Sequence, residues 1–508
     1  MANSQWPADN PELLRIYNII EKSFVPFLYK GQMLDMQNGR AITRGERQNH
    51  VEGQAILASM LRFLDGATPE QKKYLSETIK GQLISDTSMD FLKYQNDFSV
   101  YNSAKRLLND INISPAEPLQ GVWYYPEMDR LVFHGSNYTF GLALHSYRVG
   151  NFECMNNENK RGWFTGDGAT YVYNSDLEQY SNYWPLISPY RISGTTIDMS
   201  TTLGDCTNKN KVASRVGKNK QTKMIRVGGA AYDKEAAIGA DFYNHDDSVS
   251  ALKSWFVIND KVVAIGSDIQ GNENVDIGTV IESKKLNDNG NNRVELNEVV
   301  LSYDEINGTF NNVKSMFIEG NVSGANVGFW FPKTERITME SAKVSTNWSE
   351  IGTTIKDVSG YTLASFIPHD KNRTSYQYVM LNGLDSDEFN LYVHNPDVVV
   401  VRADNKAHII SDRSGSTLLA NVWSNEEINI GGLKIVDPIS IITKKNDKAL
   451  DISLSDSTQA ISQVEITSEK KYSVASDVDG RVAIKGNAIV VNLDLLRGKT
   501  YHFSLNES

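Results

Sequence analysis

Lys261-Val262-Val263-Ala264-Ile265 is a continuous run of apolar, mostly β-branched residues, of the kind that fills a buried strand. Runs of the same texture recur at Arg293-Val294-Glu295-Leu296, Val327-Gly328-Phe329-Trp330-Phe331 and Ser375-Tyr376-Gln377-Tyr378-Val379-Met380. Asn, Asp and Gly turns separate them, and dense short strands with turn signals imply stacked antiparallel sheets. One large sandwich is expected over 121–383. Acids break the pattern at Asp385 to Asn390, and a smaller β module follows, ending in Ile489-Val490-Val491-Asn492-Leu493. No short-period repeat or low-complexity segment interrupts this order.

Towards the N-terminus the texture turns helical. Asn10-Pro11-Glu12 combines an N-cap, a proline at the first helical position and an early acid. Leu13, Tyr17, Ile20 and Phe24 then repeat at helical spacing until Pro26. A second helix is expected from about Gln48, with Val51, Ile56, Met60, Leu61 and Leu64 apolar and Gly66 as its stop. Thr68-Pro69-Glu70-Gln71 has the form of a capping box, followed by the stripe Tyr74, Leu75, Ile79, Leu83. A further helix carries Phe98, Tyr101, Ala104 and Leu108, and the proline-bearing segment Asn112 to Pro118 reads as a linker.

The bulk numbers agree with a multidomain chain, helical first and β-rich after. It has 508 residues, 40% hydrophobic and 22% charged, enough for two to four packed domains. A net charge of −11 argues against general binding to nucleic acid or anionic membranes, yet leaves room for a local basic cleft. No apolar run of about 18 residues exists to span a bilayer. Met1 to Trp6 shows no signal-peptide pattern. Cys154 and Cys206 are too few for a disulfide framework or a four-cysteine metal site, and free thiols are expected.

Three stretches carry candidate chemistry. In Leu34-Asp35-Met36-Gln37-Asn38-Gly39-Arg40-Ala41-Ile42-Thr43-Arg44, two arginines four apart follow a glycine turn. Paired guanidinium forks suit carboxylates on an acidic sugar, although an exposed pairing with Asp35 or Glu46 accounts for the spacing alone more simply. Phe152-Glu153-Cys154-Met155-Asn156-Asn157-Glu158-Asn159-Lys160-Arg161-Gly162-Trp163 gathers amides, acids, bases and an aromatic into one loop, and can equally be a polar hairpin. Tyr180-Ser181-Asn182-Tyr183-Trp184-Pro185 offers rings for stacking a sugar, with Trp184 assigned to the core and Tyr183 left open.

Taken in order, these stretches resemble polysaccharide lyase family 8, the hyaluronate, chondroitin AC and xanthan lyases. Met33 to Arg44 is similar to the family's Asp-Met-x-x-Gly-Arg-x-Ile-x-Arg segment, and Glu153 to Trp163 to its Glu-x-Met-Asn-x-Glu-Asn-Lys-Arg-Gly-Trp stretch. Asp167-Gly168, Tyr183-Trp184-Pro185, Pro189-Tyr190, Gly194-Thr195-Thr196, Lys253-Ser254-Trp255-Phe256 and Gly266-Ser267-Asp268-Ile269 continue it. The resemblance implies a partial α/α toroid, a large antiparallel β-sandwich and a C-terminal β domain, here over 1–113, 119–384 and 391–508. It implies β-elimination at C5 of a uronic acid within an anionic polysaccharide such as hyaluronan, chondroitin sulfate or a xanthan-like chain. By residue match, Arg40 and Asn156 take catalytic positions and Arg44, Glu158 and Tyr183 substrate-side positions.

Arg40 and Arg44 are then expected to face the cleft between helical and β parts, with Asn156 within hydrogen-bonding range directly or through water. The family's catalytic Asn, His and Tyr precede its arginine segment. Here no histidine precedes Asp35, so this chain alone is expected to be a poor lyase, truncated or completed by a separate helical chain. Two alternatives stand beside this: a non-catalytic glycan-binding remnant, and a glycoside hydrolase using Glu153 and Glu158. No metal or other cofactor is expected. Secretion or cell-surface display in a bacterium is implied by the resemblance alone.

Overall fold

The computed structural model describes residues 10–206, 223–272 and 275–508. The Met1 to Trp6 stretch lies outside these residues, and the side chains at 10–14, Leu13 included, are not described. Strand Val327–Asn347 is the longest element. Its first half pairs with Tyr376–Asn382 and its second with Asp357–Pro368, while Gly308–Ile318 lies along the other edge. Around it a twelve-stranded sheet assembles from strands between Thr196 and Asn382, and its ladders are antiparallel. The runs at 261–265, 293–296, 327–331 and 375–380 all fall in it.

A second, four-stranded sheet (Gly121–Tyr125, Arg130–His134, Thr139–Ala143, Ala169–Tyr173) packs on the first. Side chains alternate across a strand, and here both faces are consumed. Leu131, Phe133, Phe140 and Leu142 enter the core shared with Trp255, Val257, Phe329 and Tyr378 of the large sheet. Val132, Ala143, Tyr171 and Tyr173 enter the core shared with the helices. The large sheet repeats the device: Trp255 and Val257 point inward, while Phe256, Ile258, Val263 and Ile265 meet a third cluster with Phe389 and Val393. Near-continuous apolar runs are what two-sided burial demands.

The helical layer comprises α1 (Asn10–Ile19), α2 (Gln48–Phe63), α3 (Pro69–Ser85), the single turn α4 (Phe91–Tyr94) and α5 (Phe98–Asn109). The capping box at Thr68 forms as read: its hydroxyl accepts from Gln71 N at 3.3 Å, and the Gln71 side chain accepts from Thr68 N at 3.1 Å. Leu75 and Ile79 are fully buried behind it. The apolar stripes of α2 and α5 are rotated from the expected ones. Val51 is exposed, and α2 instead buries Asn49, His50 and Gln54 beside Leu57, Met60 and Leu61. Those polar groups are tolerated because each is bonded: Asn49 Nδ2 to Gln32 Oε1, His50 to Asp86 and the Leu177 carbonyl, Gln54 Nε2 to the Met89 carbonyl. On α5 the buried face is Val100, Ala104 and Leu107, with Phe98 left 79% exposed. No helix among the described residues is long and apolar enough to cross a membrane.

The acid-rich stretch at 385–390 is helical. Asp385 and Glu388 form a reciprocal cap for α7 (Ser386–His394), after α6 (Tyr183–Leu186), so the acids mark a helix start rather than a break. Beyond it, a seven-stranded and a five-stranded sheet enclose their own core of Ile409, Ile441, Ile452, Val464, Val491 and Phe503. A buried polar seam joins this module to the central sheet. The His408 ring bonds Ser254 Oγ at 2.7 Å and Ser267 Oγ at 2.8 Å, and Asn421 Nδ2 donates to Ser254 Oγ.

Burial pushes the His408 imidazole down from its ordinary 6.5 to about 3. Between those values the unfolded chain holds a proton that the folded chain does not, so this residue costs stability as pH falls through that window. The urea midpoint of His408→Gln is expected to fall less steeply than that of the parent from pH 6.5 downward, since the other titrating groups cancel in the comparison. Parallel curves would show that the seam does not carry the proton linkage.

Candidate functional site

Three segments distant in sequence converge where the helical layer meets the sandwich. The first is the arginine turn. Gly39 adopts φ +52°, a conformation that costs glycine little, and starts the tight 3₁₀ turn Gly39–Thr43. Arg40 Nε donates to Glu158 Oε2 at 2.5 Å and Arg40 Nη1 to Glu153 Oε1 at 2.5 Å. Arg44 Nε donates to Glu158 Oε1 at 2.8 Å. Both arginines therefore face the β side of the junction, and their partners are neither Asp35 nor Glu46.

The second segment is the loop at 151–163. Asn156, Asn157 and Asn159 all take left-handed backbone, at φ 56°, 61° and 53°. Asparagine tolerates that region better than most residues, so the asparagine-rich spelling is the local signal for this coiled loop. Asn159 N donates to Thr43 Oγ1 at 2.8 Å, and Thr43 Oγ1 donates to the Arg40 carbonyl at 3.0 Å, which locks loop to turn. The expectation of free thiols is corrected here: Cys154 and Cys206 form a disulfide, with Cα atoms 6.6 Å apart. A count of two cysteines carries no information on proximity. The fold lays 204–206 across the loop, where Cys206 N donates to the Lys160 carbonyl and Trp163 Nε1 to the Gly204 carbonyl.

The third segment had no sequence signal. The hairpin tip at 348–356, between Val327–Asn347 and Asp357–Pro368, touches both of the others. Thr354 Oγ1 donates to the Arg44 carbonyl, and a side chain at Gly352 would strike the Thr43 carbonyl. Lys160 reaches the tip through its backbone N to the Ile351 carbonyl and its Nζ to the Ser349 carbonyl. Arg161 pairs with Glu350 at 2.7 Å, and Lys356 pairs with Glu46.

Beneath the arginine turn lies Asp35, only 4% exposed. Its carboxylate accepts from Trp184 Nε1 at 2.7 Å and from Asn38 Nδ2 at 3.3 Å. Burial raises its pKa to about 7, against the lowering effect of the Trp184 bond. This tie reverses the aromatic assignment. Tyr183 is buried with its hydroxyl donating to the Ser283 carbonyl at 2.9 Å, so it presents no face to a sugar. Trp184 is the half-exposed ring, and it borders a recess with Thr43, Asn159, Arg161 and Ile351. Both rings bond a buried partner through their polar tips, and what separates them is the burial of the ring itself, which composition does not reveal.

Asn156 is exposed, and its side chain has no hydrogen bond among the described residues, so the direct contact expected with the arginines is absent. Glu158 takes that place. Bonds from Arg44 and Arg40 hold the Glu158 carboxyl below its ordinary range. That works against a hydrolase reading, which needs one acid kept protonated and two carboxyls on opposite sides of a sugar. Glu153 and Glu158 instead converge on one arginine. No histidine is bonded to Arg40 or Arg44 among the described residues: His50, His134, His145, His369 and His408 are buried elsewhere.

A helical layer seated on a many-stranded sandwich, with an arginine–glutamate cluster at the junction, matches one family along its length. The model of the polysaccharide lyase family 8 super-sandwich domain matches residues 120–393, its N-terminal α-helical domain 1–81, and its C-terminal β-sandwich domain 399–465. The chain belongs to polysaccharide lyase family 8. It is 30% identical to a xanthan lyase of Bacillus sp. (strain GL1) over 99% of this chain and 54% of the relative. It is 28% identical to a hyaluronate lyase of Staphylococcus aureus over 96% of this chain and 58% of the relative. It thus spans a little over half the length of those relatives. The structure of Paenibacillus xanthan lyase superposes with a TM-score of 0.91 at 26% identity, covering 100% of this chain and 49% of that one. A Streptomyces coelicolor chondroitin AC lyase in complex with chondroitin sulphate shares the fold, at a TM-score of 0.85 and 22% identity, over 100% of this chain and 67% of that one.

Cys206→Ser is expected to raise amide exchange across 151–163 by about tenfold or more, while Val249–Ile258 keeps its protection. Exchange read by mass spectrometry and unchanged in that loop would mean that Thr43 and the hairpin tip hold it unaided.

Proposed function

We propose that this protein is a carbon–oxygen lyase that breaks a uronate-containing polysaccharide by β-elimination, and that this chain supplies the arginine–glutamate side of its cleft. The carrying observation is the bridge of Arg40 and Arg44, from the helical layer, onto Glu158 of the sandwich loop. The named activities of the relatives support it, with hyaluronan, chondroitin sulfate or a xanthan-like chain as the substrate. Trp184 is the ring available for stacking.

The chemistry fits the residues. A proton at C5 of a uronate becomes removable only when charge building on the carboxylate is stabilised. Arg44 faces such a carboxylate, Arg40 orients the reacting groups, and Asn156 adds a carboxamide from an unencumbered position. Proton transfer needs a base at C5 and an acid at the glycosidic oxygen, together worth about 10²–10⁴-fold. No histidine bonded to the arginine pair serves this role among the described residues. Glycan binding with slight turnover is expected of the purified chain. We also propose the division 1–113, 119–384 and 391–508 as working domains, and export to an oxidising compartment, which the Cys154–Cys206 disulfide supports.

Arg40→Ala and Arg44→Ala are each expected to weaken hyaluronan binding by about tenfold, measured by calorimetry. Any cleavage, however slow, is expected to yield the conjugated C4–C5 double bond and its ultraviolet absorbance. Reducing ends released without that absorbance would replace elimination by hydrolysis. Fast turnover by the purified chain would place the proton-transfer groups among its own residues. In a turnover-competent preparation, Asn156→Ala is expected to lower kcat more than it raises KM.

A further inference from the structure

We propose that the Cys154–Cys206 disulfide is a site of thiol–disulfide exchange, opened by a small dithiol that attacks the Cys154 sulfur, and that its opening weakens glycan binding at the neighbouring site. The inference rests on the proposed function and adds its regulation. The bond joins residues 52 apart in sequence, and the ring it closes contains both the 156–163 part of the site loop and Trp184. Cys154 stands between Glu153, which accepts from Arg40 Nη1, and Met155, whose sulfur lies 3.8 Å from the same nitrogen. Opening the ring therefore frees the residues that flank the arginine turn, and no remote part of the fold.

The loop needs that tie. Asn156, Asn157 and Asn159 hold left-handed backbone, which persists where the surroundings over-determine it. The ends of the loop are secured in the core by Phe152 and Trp163. Its outward turn is held by the disulfide, by the bond from Asn159 N to Thr43 Oγ1 and by the ion pairs from Arg40 and Arg44. Partly exposed ion pairs hold little by themselves. Without the disulfide, Glu153, Asn156 and Glu158 are no longer presented in one arrangement, and a ligand must order them as it binds.

The two sulfurs differ in access. Cys206 is 2% exposed, whereas Cys154 is half-buried on a loop whose neighbours Glu153, Met155 and Asn156 are exposed. A thiolate of the dithiol reaches the Cys154 sulfur, forms a mixed disulfide there and expels the Cys206 sulfur, which takes up a proton. The second thiol then attacks the dithiol's own sulfur in that mixed disulfide, which closes the dithiol into a disulfide and releases Cys154 as a thiol. The dithiol is oxidised, the protein disulfide is reduced, and the protons of the dithiol end on the cysteines. The Asn159 carbonyl, 3.7 Å from the Cys206 sulfur, is placed to accept its new S–H. The inner half of the opened bond thus keeps a partner while the outer half is let go.

The test titrates the full chain with hyaluronan by calorimetry before and after treatment with dithiothreitol, counting free thiols in the folded protein. Both cysteines are expected to become free, and hyaluronan affinity to fall by about tenfold. Removing the dithiothreitol in air is expected to restore both the bond and the affinity. The double variant Cys154→Ser, Cys206→Ser is expected to bind as the reduced parent does and to ignore dithiothreitol. If that variant does not fold, the reduced and reoxidised parent carries the test. In Arg40→Ala the loop has lost the arginine it positions, so reduction is expected to lower affinity by less than about threefold. A bond that merely supports the fold would not show that coupling. A disulfide that resists dithiothreitol in the folded chain, an affinity unchanged or raised on reduction, or the full loss in Arg40→Ala would overturn this inference alone. An oxidised chain that does not bind hyaluronan would overturn the proposed function and this inference with it.

Discussion

The short strands Arg130–His134, Thr139–Ala143 and Ala169–Tyr173 are buried on both faces, with Gly121–Tyr125 half-buried at their edge, and the rest of the molecule is arranged around that constraint. One face is committed to the twelve-stranded sheet and the other to the helices, so the helical layer cannot slide on the sandwich without exposing Tyr171 and Tyr173. The 151–163 loop connects Thr139–Ala143 to Ala169–Tyr173 and sends Phe152 and Trp163 into the core on the helical side of this sheet, beside Met36 of the segment that leads into the arginine turn. Their meeting is a consequence of the double burial, and the ion pairs between them sit on a junction that apolar packing has already fixed. This order of causes matters, because exposed ion pairs of this kind contribute little to stability.

The same layering explains what could be read from the residues and what could not. Continuous apolar runs at 261–265 and 327–331, set between turn residues, revealed the sheets because both of their faces are buried. Helix ends with reciprocal caps were legible at Thr68 and equally spelled at Asp385, where acids mistaken for a break are the start of α7. The buried faces of α2 and α5 were misplaced, since α2 buries Asn49, His50 and Gln54 against partners remote in sequence. Contact order hid the site in the same way. The pairing of Arg40 with Glu158, the Cys154–Cys206 disulfide and the exchange of roles between Tyr183 and Trp184 all depend on which distant segment arrives next to which.

Asp35 illustrates how a single polar group can serve two layers at once. It holds the indole of Trp184 with its carboxylate, and its backbone N donates to the Tyr173 hydroxyl at 2.7 Å. A buried carboxyl with bonded neighbours on both sides fixes the height of the arginine turn above the aromatic cluster. The cost of burying it shows in its raised pKa.

The hairpin that delivers residues 348–356 behaves as a ruler. Strand Val327–Asn347 has 21 residues, about 70 Å of extended chain, anchored in the core at one end and touching Arg44, Lys160 and Arg161 beyond the other. Such a ruler can change length only in steps. Losing one residue from each arm turns every side chain to the opposite face, whereas losing two preserves the facing but withdraws the tip by about 7 Å. A lineage that lengthens or trims this hairpin in even steps can open or close one wall of the cleft without touching either of the other two.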